Sequence, residues 1–517
     1  MQPSRNDSAR AARRAVRAGV ALALASLAAL LLWSYVTSEP VATARVLVAG
    51  MAVLALASPA AGLLACAGLL PLTGPLSALL GTQSAFSIGE PFVLAFLAAW
   101  LVRAAGWAAA PDVTRRRFLA PAVVLALVVA ASAAVQVVNV LAAVADSERP
   151  APGVLHFIVT DYFRSRAPFG AIPAAAFFLE GLGLFAAAVS IGRRVDGFGG
   201  RLLATVAVGA TGVGALSIVR LITVSLRQSD AWTAMLQHLG TIRISAAFPD
   251  PNAAGSYLAM GLLAATGVAV EALDPAQGAS GGRRTRRSSA LWLAAVPVIT
   301  SGLWLTGSRA AILAAAAASI VLVPLARRAP RWLRLGGAAA IAIALVAALP
   351  FAAQRLNPPT GSGRALPRAF SIRVEMTRTA GRMIGAHPLF GVGIGQFYDR
   401  SAEYVTPAFR RVVSRENAHN NFLQILAELG VAGFVPFAWV LGAVAWSALR
   451  SWHSGRARAA GTGGAAGLVA FVLTWFAGHP LLIFEVATAF WLVLGAVAAL
   501  ATTGEAGSEG GEADRAR

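Results

Sequence analysis

His419 and two arginines, Arg243 and Arg309, stand where polar segments of this sequence meet apolar runs. His419 comes just before a strongly apolar stretch of helical character, so a titratable group is placed at the end of a helix. Arg309 opens an apolar run, where a charge is costly unless it reaches the membrane interface or a partner. A neutral imidazole can accept a proton from a hydroxyl, and guanidinium groups bind phosphate oxygens in pairs. These residue types could serve proton transfer and anion binding.

The composition is that of an integral membrane protein. The chain has 517 residues, of which 57% are hydrophobic and 13% charged, with a mean hydropathy of +0.68. All 43 basic residues are arginine, and the net charge of +20 is spread over loops. A nucleic-acid-binding protein would gather such charge on one soluble module, so we expect no nucleic-acid partner. The single cysteine, Cys66, excludes an intramolecular disulfide and offers no metal-ligand spacing.

Repeated apolar runs predict an all-α, polytopic fold with about 12–14 transmembrane helices. The first span is expected near residues 20–36 and a later one near 335–352. The predicted divisions are a basic cytoplasmic N-terminus (1–19), a transmembrane region (20–352), a long periplasmic loop (353–420), C-terminal transmembrane helices (421–501) and a disordered cytoplasmic tail (502–517).

The placement of arginine predicts the orientation, because short basic loops are retained in the cytoplasm. With these spans, six basic segments fall on one side: the N-terminus and residues 103–117, 193–201, 283–287, 327–334 and 450–458. The opposite side then holds Arg243, Arg309 and the long loop that ends at His419. We therefore expect the chemistry on the extracytoplasmic side.

The long loop contains an apolar pattern at helical spacing: Ile372, Met376, Thr379 with Ala380, and Met383. Arg373, Arg378 and Arg382 occupy the other faces. This pattern predicts an amphipathic helix that lies on the bilayer surface and ends before His387-Pro388.

Four segments in order resemble the O-antigen ligase and O-antigen polymerase superfamily of bacterial membrane glycosyltransferases. They are Arg243 with Pro251-Asn252, Gly307-Ser308-Arg309, the glycine-rich run from His387 to Phe397, and His419-Asn420 followed by Glu428 to Gly433. The resemblance implies a metal-independent enzyme of GT-C-like architecture. It implies transfer of a glycan from undecaprenyl pyrophosphate to lipid A-core, a growing glycan or a protein, at the periplasmic face of the inner membrane.

The resemblance also implies roles for individual residues, with no metal and no cofactor. His419 would be the general base, and Arg243 and Arg309 would bind the pyrophosphate. Further substrate contacts are expected from the loop residues Arg373, Arg382 and His387. Asn252, Asn420 and Glu428 are expected to support the site, Asn252 by capping the following helix and Glu428 through the helix dipole.

Other interpretations remain open at this stage. His419 could be a helix-capping or interfacial histidine, and Arg309 could reach lipid headgroups. Gly391, Gly393 and Gly395 superficially resemble a phosphate-binding loop, but no strand of a nucleotide-binding fold precedes them. Alternatives to a ligase are an O-antigen or exopolysaccharide polymerase, a protein O-oligosaccharyltransferase and a polytopic transporter. The long loop with its terminal histidine favours an enzyme over a transporter.

Overall fold

The computed structural model describes residues 5–82, 87–107, 114–145, 153–165, 167–241, 243–273, 282–323, 366–411 and 415–515. Every regular element in these ranges is helical, as the sequence predicts. The predicted span near 335–352 and the first part of the long loop lie outside the described residues.

The helices follow the apolar runs of the sequence. They are α1 (Arg5–Ser38), α2 (Ala42–Ala57), α3 (Pro59–Leu69), α4 (Thr73–Leu80), α5 (Gly89–Ala105), α6 (Ala120–Ala145), α7 (Ala171–Gly192), α8 (Phe198–Ser225), α9 (Ala231–Thr241), α10 (Pro251–Ala272), α11 (Gly282–Thr306), α12 (Arg309–Ala318), α13 (Leu366–Ala386), α14 (Phe397–Tyr404), α15 (Pro407–Arg410), α16 (Asn421–His453), α17 (Ala459–Thr474) and α18 (Phe484–Arg515). Short helical turns lie at Leu70–Leu72, Arg115–Leu119, Val154–His156 with Phe157–Asp161, Ser319–Leu322 and Pro480–Leu482.

Within the described residues, eight helical stretches are long and apolar enough to cross a membrane. They are Ala11–Ser38, Pro59–Leu80, Arg115–Ala145, Ala171–Gly192, Phe198–Ser225, Pro251–Ala272, Asn421–His453 and Phe484–Ala501. Shorter apolar helices lie at Ala42–Ala57, Ala290–Thr306, Arg309–Leu322 and Ala459–Thr474. The protein is an all-α polytopic membrane protein, as predicted.

Two helices at the chain ends are longer than the sequence suggested. Helix α1 begins at Arg5, well before the expected start of the first span near residue 20. Helix α18 continues to Arg515 through most of the tail that we expected to be disordered. An established helix gains one hydrogen bond for each residue added, so it extends beyond the apolar run that nucleates it.

Contacts between arginine-rich segments identify one end of the helix bundle. The Arg194 guanidinium lies 4.2 Å from the Trp107 ring, and Arg458 pairs with Glu271 at 2.5 Å. Glu271, the partner of Arg458, lies at the C-terminal end of α10. Helix α16 also has its C-terminal end in one of the basic segments. The candidate site residues Asn252 and Asn420 stand at the starts of these two helices. The basic segments and the candidate site therefore occupy opposite ends of α10 and α16.

Helix α16 is interrupted at Gly430, where φ is 62° and ψ is −167°. The run that follows His387 lies in this break and replaces the lost helical hydrogen bonds with its own backbone. The bonds, at 2.8 to 3.0 Å, run from Val392 N to Ala427 O, Gly393 N to Glu428 O, Val431 N to Pro388 O and Ala432 N to Leu389 O. The glycine-rich run is thus a structural plug that fills a break in a helix.

The amphipathic helix forms where the sequence predicts it, as α13, and ends at Ala386 before His387-Pro388. Met376, Ala380 and Met383 are fully buried. Ala380 and Met383 pack in one apolar cluster with Val392, Phe397, Ala418 and Ala427. Our expectation that the apolar face contacts lipid is wrong, because the loop and α16 cover that face.

Substitution of Gly430 should loosen this assembly. A β-carbon at Gly430 would lie 2.3 Å from the Leu389 carbonyl carbon, and the positive φ disfavours a side chain. We expect Gly430→Ala to lower the free energy of unfolding by about 1–3 kcal/mol. Gly442→Ala, in the same helix with nothing within 4 Å of the new β-carbon, is the matched control. Equal melting temperatures of the two purified variants would contradict this prediction.

Candidate active site

His419 has an unusual backbone at the entrance to α16. Its φ is 50°, and among the described residues it is the single non-glycine residue with a positive φ. Asn420 follows and caps α16, its Oδ1 accepting from the backbone N–H groups of Phe422 and Leu423 at 3.0 and 3.2 Å. The architectural role expected for Asn420 is this cap. Such strained residues cluster at functional sites, where the surrounding structure holds them.

The side chain of His419 is partly accessible, with 27% of its surface exposed. Its Nε2 lies 3.9 Å from Glu416 Oε1, beyond hydrogen-bonding distance. The imidazole therefore stands next to a carboxylate and still has an open side from which a substrate hydroxyl could approach.

His479, to which the sequence assigned no function, lies directly against His419. The two ring centroids are 4.8 Å apart and the ring planes meet at 41°. His479 belongs to the short connection between α17 and α18, which is tied to the start of α16 by a bond of 3.2 Å from Asn421 N to Trp475 O. The sequence signal that could have found it is the position of Gly478-His479-Pro480 in a short turn between the last two apolar runs, because the arginine rule predicts this turn on the same membrane face as His419.

Arg243 joins two segments that are far apart in sequence. Its Nη2 donates to Asn252 Oδ1 at 2.7 Å, and its Nε donates to the carbonyl oxygen of Thr306 at 3.0 Å. The next backbone N–H, that of Ile244, donates to Leu305 O at 2.8 Å. The guanidinium is held in place by hydrogen bonds at the point where α10 begins and α11 ends.

Asp250, rather than Asn252, caps helix α10. Its carboxylate accepts from the backbone N–H groups of Asn252 and Ala253 at 2.9 and 3.3 Å. Asn252 was expected to cap the helix, but Pro251 occupies the first helical position and the residue before it is the cap. The amide of Asn252 is instead the partner that orients Arg243.

Arg309 is half-buried at the first position of α12, whose cap is Ser308. Helix α10 approaches this turn so closely that a β-carbon on Gly255 would lie 2.7 Å from the Ser308 β-carbon. Arg309 therefore begins its helix next to the first turns of α10, at the end of the bundle where Arg243 is anchored.

Charged residues of two other segments affect the pKa of His419. Burial lowers the pKa of His419 below its ordinary value, the Arg373 guanidinium lowers it further, and the Asp250 carboxylate opposes them. Arg373 is an exposed residue of α13, and Asp250 belongs to the Arg243 segment. The histidine is thereby kept neutral, which is the form that can accept a proton.

Arg382 and His387 are engaged within the long loop. Arg382 donates to Glu375 Oε1 at 2.8 Å and to Tyr404 O at 2.6 Å. His387 Nε2 lies 3.1 Å from the Tyr404 hydroxyl oxygen. Of the loop residues expected to contact substrate, Arg373 affects His419 electrostatically, whereas Arg382 and His387 are bonded to partners on α13 and α14.

Glu428 lies inside α16 rather than in its first turn. The expected interaction with the dipole at the start of the helix is therefore not the role of this residue. Its buried carboxylate accepts from Gly395 N at 2.9 Å, Phe397 N at 3.3 Å and Gln424 Nε2 at 2.7 Å. Gln424 also accepts from Ala418 N at 3.0 Å, next to His419. Glu428 therefore supports the histidine segment through the plug and Gln424.

A cavity of about 360 Å³ opens beside the plug, between the C-terminal part of α6 and the start of α14. Gln136, Gln396 and Asp399 supply polar groups, and Pro168 and Val140 supply apolar surface. Its volume is within the usual range of small-molecule sites, and amide and carboxylate groups of this kind bind sugar hydroxyls. Among the described residues, no group of three or more His, Cys, Asp or Glu side chains is arranged to hold a metal ion.

Comparison with known families finds one similarity. Residues 290–438 match the family model of the O-antigen ligases. This part of the chain is similar to the O-antigen ligases, in agreement with the resemblance that the motifs predict. A search of curated proteins finds no match. The matched range contains Arg309, Arg373 and His419, while Arg243 lies before it and is bound to Thr306 within it. The match supports a glycosyltransferase-like activity of the ligase or polymerase type.

The charges around His419 predict how its protonation responds to mutation. Diethyl pyrocarbonate modifies neutral imidazole, and His419 is the single histidine of the tryptic peptide 416–450. We expect the pH midpoint of this modification, measured by mass spectrometry, to lie below 6.5. Arg373→Gln removes a positive charge and should raise the midpoint, whereas Asp250→Asn removes a negative charge and should lower it. Arg378→Gln, on the same helix, is the control; a shift as large as that of Arg373→Gln would refute the assignment.

Proposed function

We propose that this protein transfers a glycan from undecaprenyl pyrophosphate to an acceptor hydroxyl, that of lipid A-core, at the periplasmic face of a bacterial inner membrane. The family model supports the class of reaction, and the residues gathered at one end of the bundle support the site. His419 acts as general base, and Arg243 and Arg309 bind the pyrophosphate.

One observation carries the proposal most directly. Asp250 acts electrostatically on His419, and two residues later Asn252 holds the Arg243 guanidinium at 2.7 Å. A base and an anion-binding cation, 176 positions apart in the sequence (419 minus 243), are thus both influenced by the short Asp250–Asn252 segment. A base beside permanent positive charge is the arrangement required to activate a hydroxyl next to a diphosphate.

The chemistry follows from these positions. His419 takes the proton of the acceptor hydroxyl while the hydroxyl oxygen forms a bond to the anomeric carbon of the donor glycan. The bond from that carbon to the pyrophosphate oxygen breaks, and undecaprenyl pyrophosphate leaves with the electron pair. Arg243 and Arg309 stabilise the negative charge that develops on the leaving group. The proton is released from His419 to water before the next cycle.

The orientation of the bundle supports a periplasmic site. The candidate site and the basic segments lie at opposite ends of α10 and α16, and short arginine-rich loops are retained in the cytoplasm. Undecaprenyl-linked glycans at the outer leaflet would then meet Arg243 and Arg309 without crossing the membrane.

The acceptor separates this proposal from its nearest alternative. A polymerase of the same superfamily would use the same base and arginines but would extend a glycan that is still on its lipid carrier. Purified protein in nanodiscs should therefore be supplied with undecaprenyl-pyrophosphate glycan and either lipid A-core or a second lipid-linked glycan. Glycan attached to lipid A-core would support the assignment as a ligase. A longer lipid-linked glycan would instead assign the protein as a polymerase.

In the same assay we expect His419→Ala to lower the rate by about 10²–10⁴-fold, the range typical of a lost general base. Arg243→Ala and Arg309→Ala should each abolish measurable transfer, because the leaving group loses its stabilisation. Arg378→Ala, an exposed arginine of α13, controls for the loss of one positive charge. Wild-type rates in all three site variants, with normal expression, would refute the site.

Transfer should also survive chelation. Because arginines hold the pyrophosphate in this proposal, the rate with excess EDTA should equal the rate with added Mg²⁺ or Mn²⁺. Loss of product in EDTA that is reversed by a divalent ion would show that a metal takes part.

A further inference from the structure

We propose that His479 is a second histidine of this active site, a positioning residue that packs on the imidazole of His419 and fixes its orientation and its exposure to water. The role in glycan transfer rests on the proposed function, whereas the packing of the pair can be tested without any substrate.

The two imidazole rings pack against each other. Their centroids are 4.8 Å apart and the ring planes are tilted by 41°, which brings the rings into direct contact. His479 therefore covers the side of the His419 ring that faces it. Removing His479 would open this side to water.

The connection that carries His479 is rigid. Leu482 N donates to His479 O at 3.0 Å, and Ile483 N donates to Pro480 O at 3.2 Å, so His479 begins a tight helical turn. The connection starts at the buried Trp475, whose ring stacks on Phe437 with centroids 5.8 Å apart. The connection is anchored in the packed interior and is bonded to the first residue of α16. It can therefore hold the His479 side chain in a fixed position.

His479 also has a feature that simple packing does not require. Its Nδ1 is buried and makes no hydrogen bond with the described residues. A buried polar atom without a partner costs about 1–3 kcal/mol, and an aromatic hydrocarbon ring could fill the same space without that cost. The polar ring is understandable beside a base that becomes positively charged in each cycle, because a neutral imidazole is a better neighbour for an imidazolium than a hydrocarbon is.

Burial keeps His479 neutral. Burial and the neighbouring His419 lower the pKa of His479 to about 4, against the opposing effect of the Asp250 and Glu416 carboxylates. His419 is itself affected by Arg373 and Asp250. Both rings are therefore neutral at neutral pH, and a proton taken from the acceptor would reside on His419 rather than on His479. The proton of the acceptor hydroxyl is therefore transferred to His419 and not to His479.

The test uses two variants of one position. His479→Ala removes the ring, whereas His479→Phe keeps a ring of similar size without nitrogen atoms. In His479→Ala, water reaches the His419 ring, so the pH midpoint of its modification by diethyl pyrocarbonate should rise toward 6.5. In His479→Phe the midpoint should stay near that of the wild type. His453→Ala, which alters an exposed histidine at the other end of α16, is the control and should leave the midpoint unchanged.

Transfer rates give the second readout. A base that is no longer held in place loses about 10²-fold in rate for a displacement near 1 Å, so kcat of His479→Ala should fall by about that factor with a smaller change in KM. The kcat of His479→Phe should lie between those of His479→Ala and the wild type. An unchanged His419 midpoint in His479→Ala would overturn the proposal whatever happens to kcat. A shifted midpoint in a protein that transfers no glycan would instead refute the proposed function and leave the histidine pair in place.

Discussion

The break in α16 at Gly430 is the constraint on which the rest of the site depends. A helix that enters a membrane must satisfy its backbone polar groups, and an interruption leaves several without partners. Here the run from Pro388 to Gly393 supplies them. The same run is continuous with α13 on one side and α14 on the other, so filling the break also fixes the loop that carries Arg373. Glu428 then bonds the end of the run and Gln424, whose side chain accepts from the backbone beside His419.

Much of this protein could be predicted from local sequence patterns. Apolar runs of spanning length indicate transmembrane helices whatever they pack against, because the bilayer sets both their length and their composition. The periodicity of Met376, Ala380 and Met383 predicted α13 and its apolar face. His387-Pro388 predicted where that helix ends. The order of the motifs indicated the resemblance to the O-antigen ligases, and residues 290–438 match the model of that family.

What could not be predicted depends on partners distant in sequence. The apolar face of α13 looks alike whether lipid or protein covers it, and only the folded loop shows that protein does. Asn252 and Asp250 are both suitable helix caps, and only the folded structure shows that the Asn252 amide instead accepts from Arg243. His479 is an unremarkable turn residue until the connection after α17 is placed against the start of α16. In each case the local pattern allowed two outcomes and a tertiary contact selected one.

The charges of the site also suggest how donor and base communicate. Without substrate, burial and Arg373 lower the pKa of His419, so the base is neutral but weak. A diphosphate bound by the arginines would bring negative charge close to the imidazole and offset the effect of Arg373. The pKa of His419 would then rise, since nearby negative charge favours the imidazolium. On the proposed function, donor binding would strengthen the base at the moment when an acceptor hydroxyl has to be deprotonated.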